Sequence, residues 1–495
     1  MQTQRPHATP SSQEYTCKRC HTVALAERAR WIIGELGAVY HAVPRNCSHY
    51  DARFPSGALL KECQLAAAKR IVLTTFGSLG DLHPYIAVAL WLQKAGHRPV
   101  IATGNYHQSR IERAGVEFAN VGPVFPAGAE LKRMVRDVMN MKSGPETVIR
   151  RVVLPHLRES YDDLLAACRG ADLLVTHPLT YAGPIVADKL RLLWASSVLQ
   201  PSALVSAYDE IEWAPAPWLT TLRHAAPPLY RLVLGQMMRL VSSWAEPVRA
   251  LRRAEGLPPA KPNPLLQGGH SPYLVLAMFS KLLCAPMPDW PPNTKITGFP
   301  FYDEETLDHS LDPRIGAFLA AGAPPIVFTL GSSAVMDAGE FYQVSAKAAE
   351  MLGSRAILLV GDEPENCPIA RPNQGIGVFA YAPYAALFPK CAVIVHQGGV
   401  GTTGQAMRSG RPMLVMPYGQ DQPDNAARVV RLGIARTIRR DRYTVDSACR
   451  ELKALLSDRC YSERADQVGN QVRAEDGVVH ACHEIESLLQ RGAST

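Results

Sequence analysis

From Lys69 onward, apolar residues fall into short continuous runs separated by stretches of helical period, and this alternation repeats toward the C-terminus. Arg70 to Phe76 (RIVLTTF), His97 to Thr103 and Val116 to Val121 are rich in β-branched residues, as expected of parallel strands buried on both faces. Pro84 to Ala95 reads as an amphipathic helix with proline in its first turn and Gly96 as its stop; Tyr106 to Ala114 reads as a second helix, closed by Gly115. Gly77 to His83 then forms the loop after the first strand. Helical stretches at 128–142 and 148–168 precede strands at Ala171 to Thr176 and Leu193 to Val198. Such an order predicts a doubly wound α/β sheet, one Rossmann-like domain.

The pattern changes between 202 and 270 to proline-rich turns and one long amphipathic stretch, Pro228 to Glu255, whose leucines and valines alternate with Arg231, Arg239, Arg249, Arg252 and Arg253. That face either packs on its own domain or meets a lipid acceptor or anionic bilayer. Pro286 to Asp303, dense in proline and aromatics, reads as a semi-rigid connector. A second α/β series follows: helix 312–321, strand Pro325 to Leu330, loop Gly331 to Ser333, helix 338–352, strands Arg355 to Val360 and Ile376 to Tyr381, helix 383–389 and strand Cys391 to Val395. The expected organisation is an atypical extension at 1–68, a first domain at 69–300 and a second at 301–490. Ligands in such sheets sit at the carboxyl ends of strands, so the cleft between the domains is the expected site.

The most informative stretch runs from Cys391 to Asn425. After its strand comes His396, then Gly398, Gly399, Gly401 and Gly404, which allow a sharp turn and close backbone approach to a ligand. Thr402 and Thr403 open a helix, whose unpaired N–H groups and positive dipole end suit a phosphate. The loop Tyr418 to Asn425, with Gln420, Asp421 and Gln422, offers donors and acceptors for a polyol.

Composition narrows the classes. With 495 residues, 47% of them hydrophobic, the chain can bury two cores. A net charge of +7 from scattered Lys and Arg disfavours nucleic acid as a partner. The 11 cysteines, mostly within apolar elements, read as reduced core residues. The polar N-terminus has no apolar signal core, and no apolar run is long enough to span a bilayer, so a cytoplasmic protein, soluble or peripheral at the inner face of the membrane, is expected. Cys17-Lys-Arg-Cys20-His21 fits a haem-attachment pattern and half of a zinc site; with no second ligand pair, chance spacing is the simpler reading. No metal site is expected.

Two nucleotide readings compete for the glycine loop. Gly399-x-Gly401-x-x-Gly404 satisfies the dinucleotide fingerprint, with Asp421 placed to hold a ribose, as in an NAD(P)-dependent oxidoreductase. A nucleotide-sugar site accounts better for His396 beside the loop and for the polar groups around Asp421. The absence of a Walker-type lysine disfavours phosphoryl transfer.

Taken together, Gly77-Ser-x-Gly-Asp81, Phe328-Thr-Leu-Gly-Ser-Ser333, Tyr381-Ala-Pro383, His396-Gln-Gly-Gly-Val-Gly-Thr-Thr403 and Asp421-Gln-x-x-Asn425 carry a resemblance. From about 70 to 490 the chain resembles the family 1 nucleotide-sugar glycosyltransferases of the GT-B fold, with two facing Rossmann-like domains. Within them it looks closest to bacterial enzymes akin to rhamnolipid rhamnosyltransferases, sterol glucosyltransferases and macrolide or glycopeptide glycosyltransferases. The resemblance implies that His396, Gly398, Gly399, Gly401, Thr402 and Thr403, with Ser332 and Ser333, hold the diphosphate of a UDP- or dTDP-sugar co-substrate. It implies that Tyr381, Ala382 and Pro383 lie against the base, and that Gln420, Asp421 and Gln422 bind the sugar. Gly77, Ser78 and Gly80 would shape the cleft loop of an acceptor-binding first domain. Asp81 would be the base of an inverting, metal-independent transfer to a hydrophobic hydroxylated acceptor, with His83 as a rival and a helix-capping role as its structural alternative. His177, at the end of a strand, reads as structural. A nucleotide-sugar-binding protein without catalysis remains the third class.

Overall fold

The computed structural model describes residues 68–259, 263–303, 311–368 and 375–492, all within one compact unit, Ala67–Thr495. Residues 1–67, including the Cys17, Cys20, His21 pattern, lie outside them.

The first sheet is built from β1 (Arg70–Thr74), β2 (Arg98–Thr103), β3 (Glu117–Asn120), β4 (Leu173–Thr176), β5 (Trp194–Val198), β6 (Val275–Ala277) and β7 (Thr294–Ile296), in the order β3-β2-β1-β4-β5-β6-β7. The second comprises β8 (Ile326–Thr329), β9 (Ala356–Leu359), β10 (Ile376–Phe379), β11 (Val393–His396), β12 (Met413–Val415) and β13 (Ala435–Thr437), in the order β10-β9-β8-β11-β12-β13. Every pairing in both sheets is parallel. The chain therefore has the two doubly wound sheets expected, and the central strands β1, β8 and β11 are buried on both faces.

Helices α1 (Leu79–Lys94), α2 (Gly128–Val138), α5 (Val400–Ser409) and α6 (Gln422–Arg431) reach the cleft, and α3 (Trp218–Ala225), α4 (Pro227–Ser243) and α7 (Gly477–Gly492) lie outside it. At the end of the chain, α7 returns to the first sheet, where Ala481, Cys482, Ile485 and Leu488 pack with Ile71, Leu73 and Ile86. Another core joins the halves: Val198, Phe279 and Phe299 pack with Val327, Ile394 and Met407.

Four local expectations are corrected. The first helix begins at Leu79, not Pro84, because Ser78 and Asp81 form a capping box, and it is buried over most of its surface instead of amphipathic. The connector at 286–303 contains β7, and β6 precedes it; both are three-residue strands between prolines or turns, too short to show a period. Gly331 to Ser333 is a helical turn, Gly331–Ala334. The long stretch at 228–255 is two helices, α4 and Glu246–Ala254, broken at Trp244 and Ala245 with Pro247 opening the second.

Candidate active site

A cavity of about 820 Å³ opens where the carboxyl ends of the two sheets face each other. Its first-domain wall includes the Phe76–Asp81 loop, Tyr106, His107, the Thr176–Tyr181 loop, Gln200 and His270; its second-domain wall includes Gly331 to Ser333, Gln397, Gly399 to Thr402 and Gln420 to Gln422. One side of α2 adds Leu131, Met134, Val135, Val138 and Met139, and Val148, Ile149, Val152, Leu265 and Leu266 extend this apolar surface. No lysine or arginine is among the lining residues described.

Asp81 is fixed by the local sequence. Gly77 adopts φ +134°, and a Cβ there would lie 2.2 Å from Asp81 Oδ2, so only glycine lets the carboxylate fold back onto the loop. Oδ2 accepts from Ser78 N–H at 2.8 Å and from Ser78 Oγ–H at 3.2 Å. The second oxygen, Oδ1, lies 3.4 Å from His177 Nε2. His177 Nδ1 accepts the Leu179 N–H at 3.2 Å, and its Nε2, though close to Asp81 Oδ1, makes no hydrogen bond. One carboxylate oxygen thus caps the helix, and the other stands near His177 on the cavity wall. Tyr85, whose hydroxyl shares a hydrogen bond of 2.6 Å with Ser197, packs edge-on to His177. His107 closes the same loop through Nε2 and the Gly77 carbonyl, 3.1 Å apart, and its burial pushes its pKa down to about 4.

On the opposite wall, β11 ends in His396, which is fully buried. Its Nδ1 accepts the Gly398 N–H at 3.0 Å, which leaves the ring proton on Nε2; burial lowers the pKa to about 3, so the ring is neutral. Gly398 has φ +90°, and a Cβ would meet Val415 at 2.9 Å and the Gln422 carbonyl at 3.0 Å. α5 starts without a side-chain cap, and its first residues, Val400 to Thr402, line the cavity. Among the described residues, His396 Nε2, Gln397 Oε1 and Thr403 Oγ1 are buried with no protein partner. Asn425 Nδ2 braces this loop, donating to the Gly398 carbonyl at 2.9 Å and to Asp421 Oδ2 at 2.6 Å.

Family models match both halves of the chain: "Glycosyltransferase family 28 N-terminal domain" at residues 71–168 and "Erythromycin biosynthesis protein CIII-like, C-terminal domain" at residues 354–486. A curated relative, the O-mycaminosyltylonolide 6-deoxyallosyltransferase of Streptomyces fradiae, is 32% identical over 432 residues, covering 85% of this chain and 98% of its own length. The chain belongs to the family 1 GT-B glycosyltransferases. The sterol 3-beta-glucosyltransferase of Emericella nidulans is 29% identical over 85% of this chain, which spans only 30% of that longer protein. Solved structures share the fold: the glycosyltransferase of kitacinnamycin (TM-score 0.62, 21% identity, 85% of this chain and 99% of that one) and VinC in complex with dTDP (TM-score 0.60, 20% identity, 85% and 100%).

In this glycosyltransferase the fold brings Gly77, Ser78, Gly80, Asp81, Ser332, Ser333, Gly399, Gly401, Thr402, Gln420, Asp421 and Gln422 to one cavity. The two glycine loops meet across it: a Cβ on Gly401 would be 3.5 Å from Gly80 Cα. Asp421 is pushed up to about pKa 7, first by desolvation and second by the Asp81 charge. Gln422 accepts the Tyr418 N–H at 2.8 Å, and Gln420, at φ +58°, donates to the Val138 carbonyl of α2. His396, Gly398 and Thr403 stand behind the lining, not in it. His83 lies off the cavity, its ring 5.5 Å from that of Tyr302. Tyr381, Ala382 and Pro383 also lie outside the lining: Tyr381 is exposed, Ala382 is in the core, and Pro383 precedes the turn Tyr384–Leu387. The sequence reading passed over the approach of His177 to Asp81, although the first follows β4 directly and the second lies in the helix after β1, its neighbour in the sheet. It also passed over Gln397, which its own motif contains.

Proposed function

We propose that the enzyme inverts the anomeric centre of a hexose or deoxyhexose as it moves the sugar from a UDP- or dTDP-donor to a hydroxyl of a hydrophobic acceptor. The observation that carries this reading is the position of Asp81 Oδ1, on a cavity whose other surfaces are an apolar wall and a glycine loop at a helix N-terminus. In the reaction, Asp81 takes the proton of the acceptor hydroxyl as its oxygen attacks the anomeric carbon. The bond from that carbon to the donor diphosphate breaks, and the diphosphate leaves with the electron pair. Charge on the leaving group is met by N–H groups at the start of α5, by Ser332 and Ser333, and by the Nε2–H of His396. Asp421 and Gln422 hold sugar hydroxyls. His177 packs beside Asp81 Oδ1 and helps to hold it in place. Tyr381, Ala382 and Pro383 are the proposed base-side edge. This chemistry requires no organic cofactor or metal; among the described residues no His, Cys, Asp and Glu cluster suits a metal ion.

The acceptor is read as a large neutral molecule because the cavity that Asp81 faces has an apolar wall and no lysine or arginine among its described lining residues. The relatives' names, an O-mycaminosyltylonolide 6-deoxyallosyltransferase and a sterol 3-beta-glucosyltransferase, support that class. Product mass spectrometry over a set of UDP- and dTDP-sugars with lactone and sterol acceptors tests the reading. A gain of one hexose or deoxyhexose is expected. Nucleotide binding without turnover of any donor points instead to a binding protein, and binding of NAD(P) in place of UDP or dTDP to an oxidoreductase.

A peripheral contact with an anionic membrane is part of the proposal. No described helix is long and apolar enough to cross a membrane. From Trp213 to Ala245, however, the chain contains no aspartate or glutamate, but it contains Arg223, Arg231 and Arg239. On α4 the outward stripe Leu229, Leu232 and Leu240 is 48%, 60% and 63% exposed, and Trp218 on α3 is also exposed. Arg223 is paired with Glu210 at 3.0 Å, but a leucine stripe flanked by Arg231 and Arg239 still fits an acidic lipid surface better than a neutral one. The hairpin packs on Leu266, which lines the cavity, so an acceptor dissolved in lipid would have a short route to the site. We expect sedimentation with phosphatidylglycerol vesicles, not with phosphatidylcholine alone, to be lost at about 1 M salt, where screening acts within about 3 Å, and to be lost in the Leu232→Ser, Leu240→Ser variant. Indifference to both vesicles, or self-association through α4 instead, contradicts it.

A further inference from the structure

A charged cluster outside the cavity ties the two halves together. The segment Ser206 to Glu212, which follows β5, reaches the second domain and places Asp209 against α6. Arg428 on α6 donates from Nη1 and Nη2 to Asp209 at 3.2 and 2.5 Å, from Nε to Asp424 at 2.7 Å, and from Nη1 to the Leu283 carbonyl at 2.9 Å. Side-chain exposures are 3% for Arg428, 3% for Asp209 and 1% for Asp424. The free oxygen of Asp424 accepts the Glu212 N–H at 3.0 Å, so α6 is bonded to first-domain side chain and backbone alike. The segment is itself held: Ser206 Oγ donates to Asp289 at 2.6 Å, and the Ala207 N–H donates to the same carboxylate at 2.8 Å.

Apolar packing would join two domains without this arrangement. Two carboxylates and one guanidinium removed from water are costly to bury, and they fix geometry far more narrowly than a greasy contact does. The helix they fix is the one that matters: α6 begins with Gln422, next to Asp421, and Arg428 follows Asp421 by seven residues, two turns along the same face. Just before this segment in the chain, Gln200 and Ala203 line the cavity. We infer that Asp209, Arg428 and Asp424 form an interdomain clasp that sets the register between Asp421–Gln422 in one domain and Asp81 in the other, making Arg428 a positioning residue for sugar transfer. The inference rests on the proposed sugar-transfer reading.

The clasp has a signature that a mere staple lacks. The nucleotide half of the donor is held by the second domain, whereas transfer requires both, so loosening the clasp should spare binding and impair turnover. In Asp209→Asn, which keeps the shape and removes one charge, calorimetric binding of UDP or dTDP should change little. Its kcat for transfer should fall by about 10²-fold, the loss expected of a displacement near 1 Å, and the ratio of donor hydrolysis to transfer should rise as water reaches a misaligned sugar. Arg428→Lys, which keeps the charge but not the fork, should fall between Asp209→Asn and the unaltered chain. Small-angle scattering of Asp209→Asn with saturating UDP should give a larger radius of gyration. Arg428→Met serves as the severe case, and if it fails to fold the other two variants still decide. Unchanged kcat, hydrolysis ratio and radius of gyration with only a lower unfolding midpoint would overturn the clasp. Failure of the unaltered chain to turn over any donor would count against the sugar-transfer reading, while the scattering comparison would still judge the clasp.

Discussion

Asp81→Asn lowers the rate of sugar transfer by about 10²–10⁴-fold, the usual contribution of a positioned general base, and leaves donor binding nearly intact. The amide keeps the size of the carboxylate and can still accept the Ser78 N–H through its oxygen, so the cap on α1 survives. What disappears is the proton acceptor at Oδ1, opposite His177. The measurement is single-turnover transfer at saturating donor, alongside calorimetric titration with UDP or dTDP and the unfolding midpoint. If the variant keeps most of the rate while folding and binding normally, Asp81 is a cap and the base lies elsewhere, with His107, His177 and His270 the histidines of the first-domain wall.

Replacing His396 by alanine is the second large effect. The ring performs two tasks. Its Nδ1 satisfies the buried Gly398 N–H, and loss of that acceptor costs about 1–3 kcal/mol of stability. Its Nε2–H has no protein partner among the described residues and stands behind the glycine loop, at the place proposed for the diphosphate. Removing one preorganised donor to developing negative charge lowers turnover by about 10²–10³-fold. Because the ring is already neutral, with its pKa near 3, the rate should show no titration from this residue between about pH 5 and 8. Stability and rate are separable here: denaturant midpoints report the first task, and single-turnover rates far below the transition report the second. An unchanged rate in a destabilised variant leaves His396 with the loop-supporting task alone.

The parts of this enzyme that were legible in its sequence are those specified locally. The His396 to Thr403 loop is set by glycines whose positive φ or missing Cβ the turn requires, and Gly77 and Ser78 set Asp81 in the same way. The sheets were readable because buried parallel strands leave uninterrupted apolar runs. Where the reading failed, the determinant was of another kind. Pro84 reads as a helix start, yet the capping box at Ser78 begins α1 earlier, and Pro84 only withholds one N–H from the Gly80 carbonyl. The approach of His177 to Asp81 depends on β1 and β4 lying side by side. The apolar wall and the Asp209, Arg428, Asp424 cluster join residues far apart in the chain, and no period or spacing records such contacts. His83 illustrates the opposite error: two residues from Asp81 in sequence, it points away from the cavity because a helix, not a loop, carries both.

In the proposed reaction Asp81 and the glycine loop carry out one inverting displacement at the anomeric carbon. Its most direct test is the anomeric configuration of the product, read by proton NMR from the coupling at the transferred sugar's first carbon after reaction with a UDP- or dTDP-sugar of known configuration. The account predicts a single product of opposite configuration, with nucleoside diphosphate released in equal amount. A product of retained configuration would contradict it.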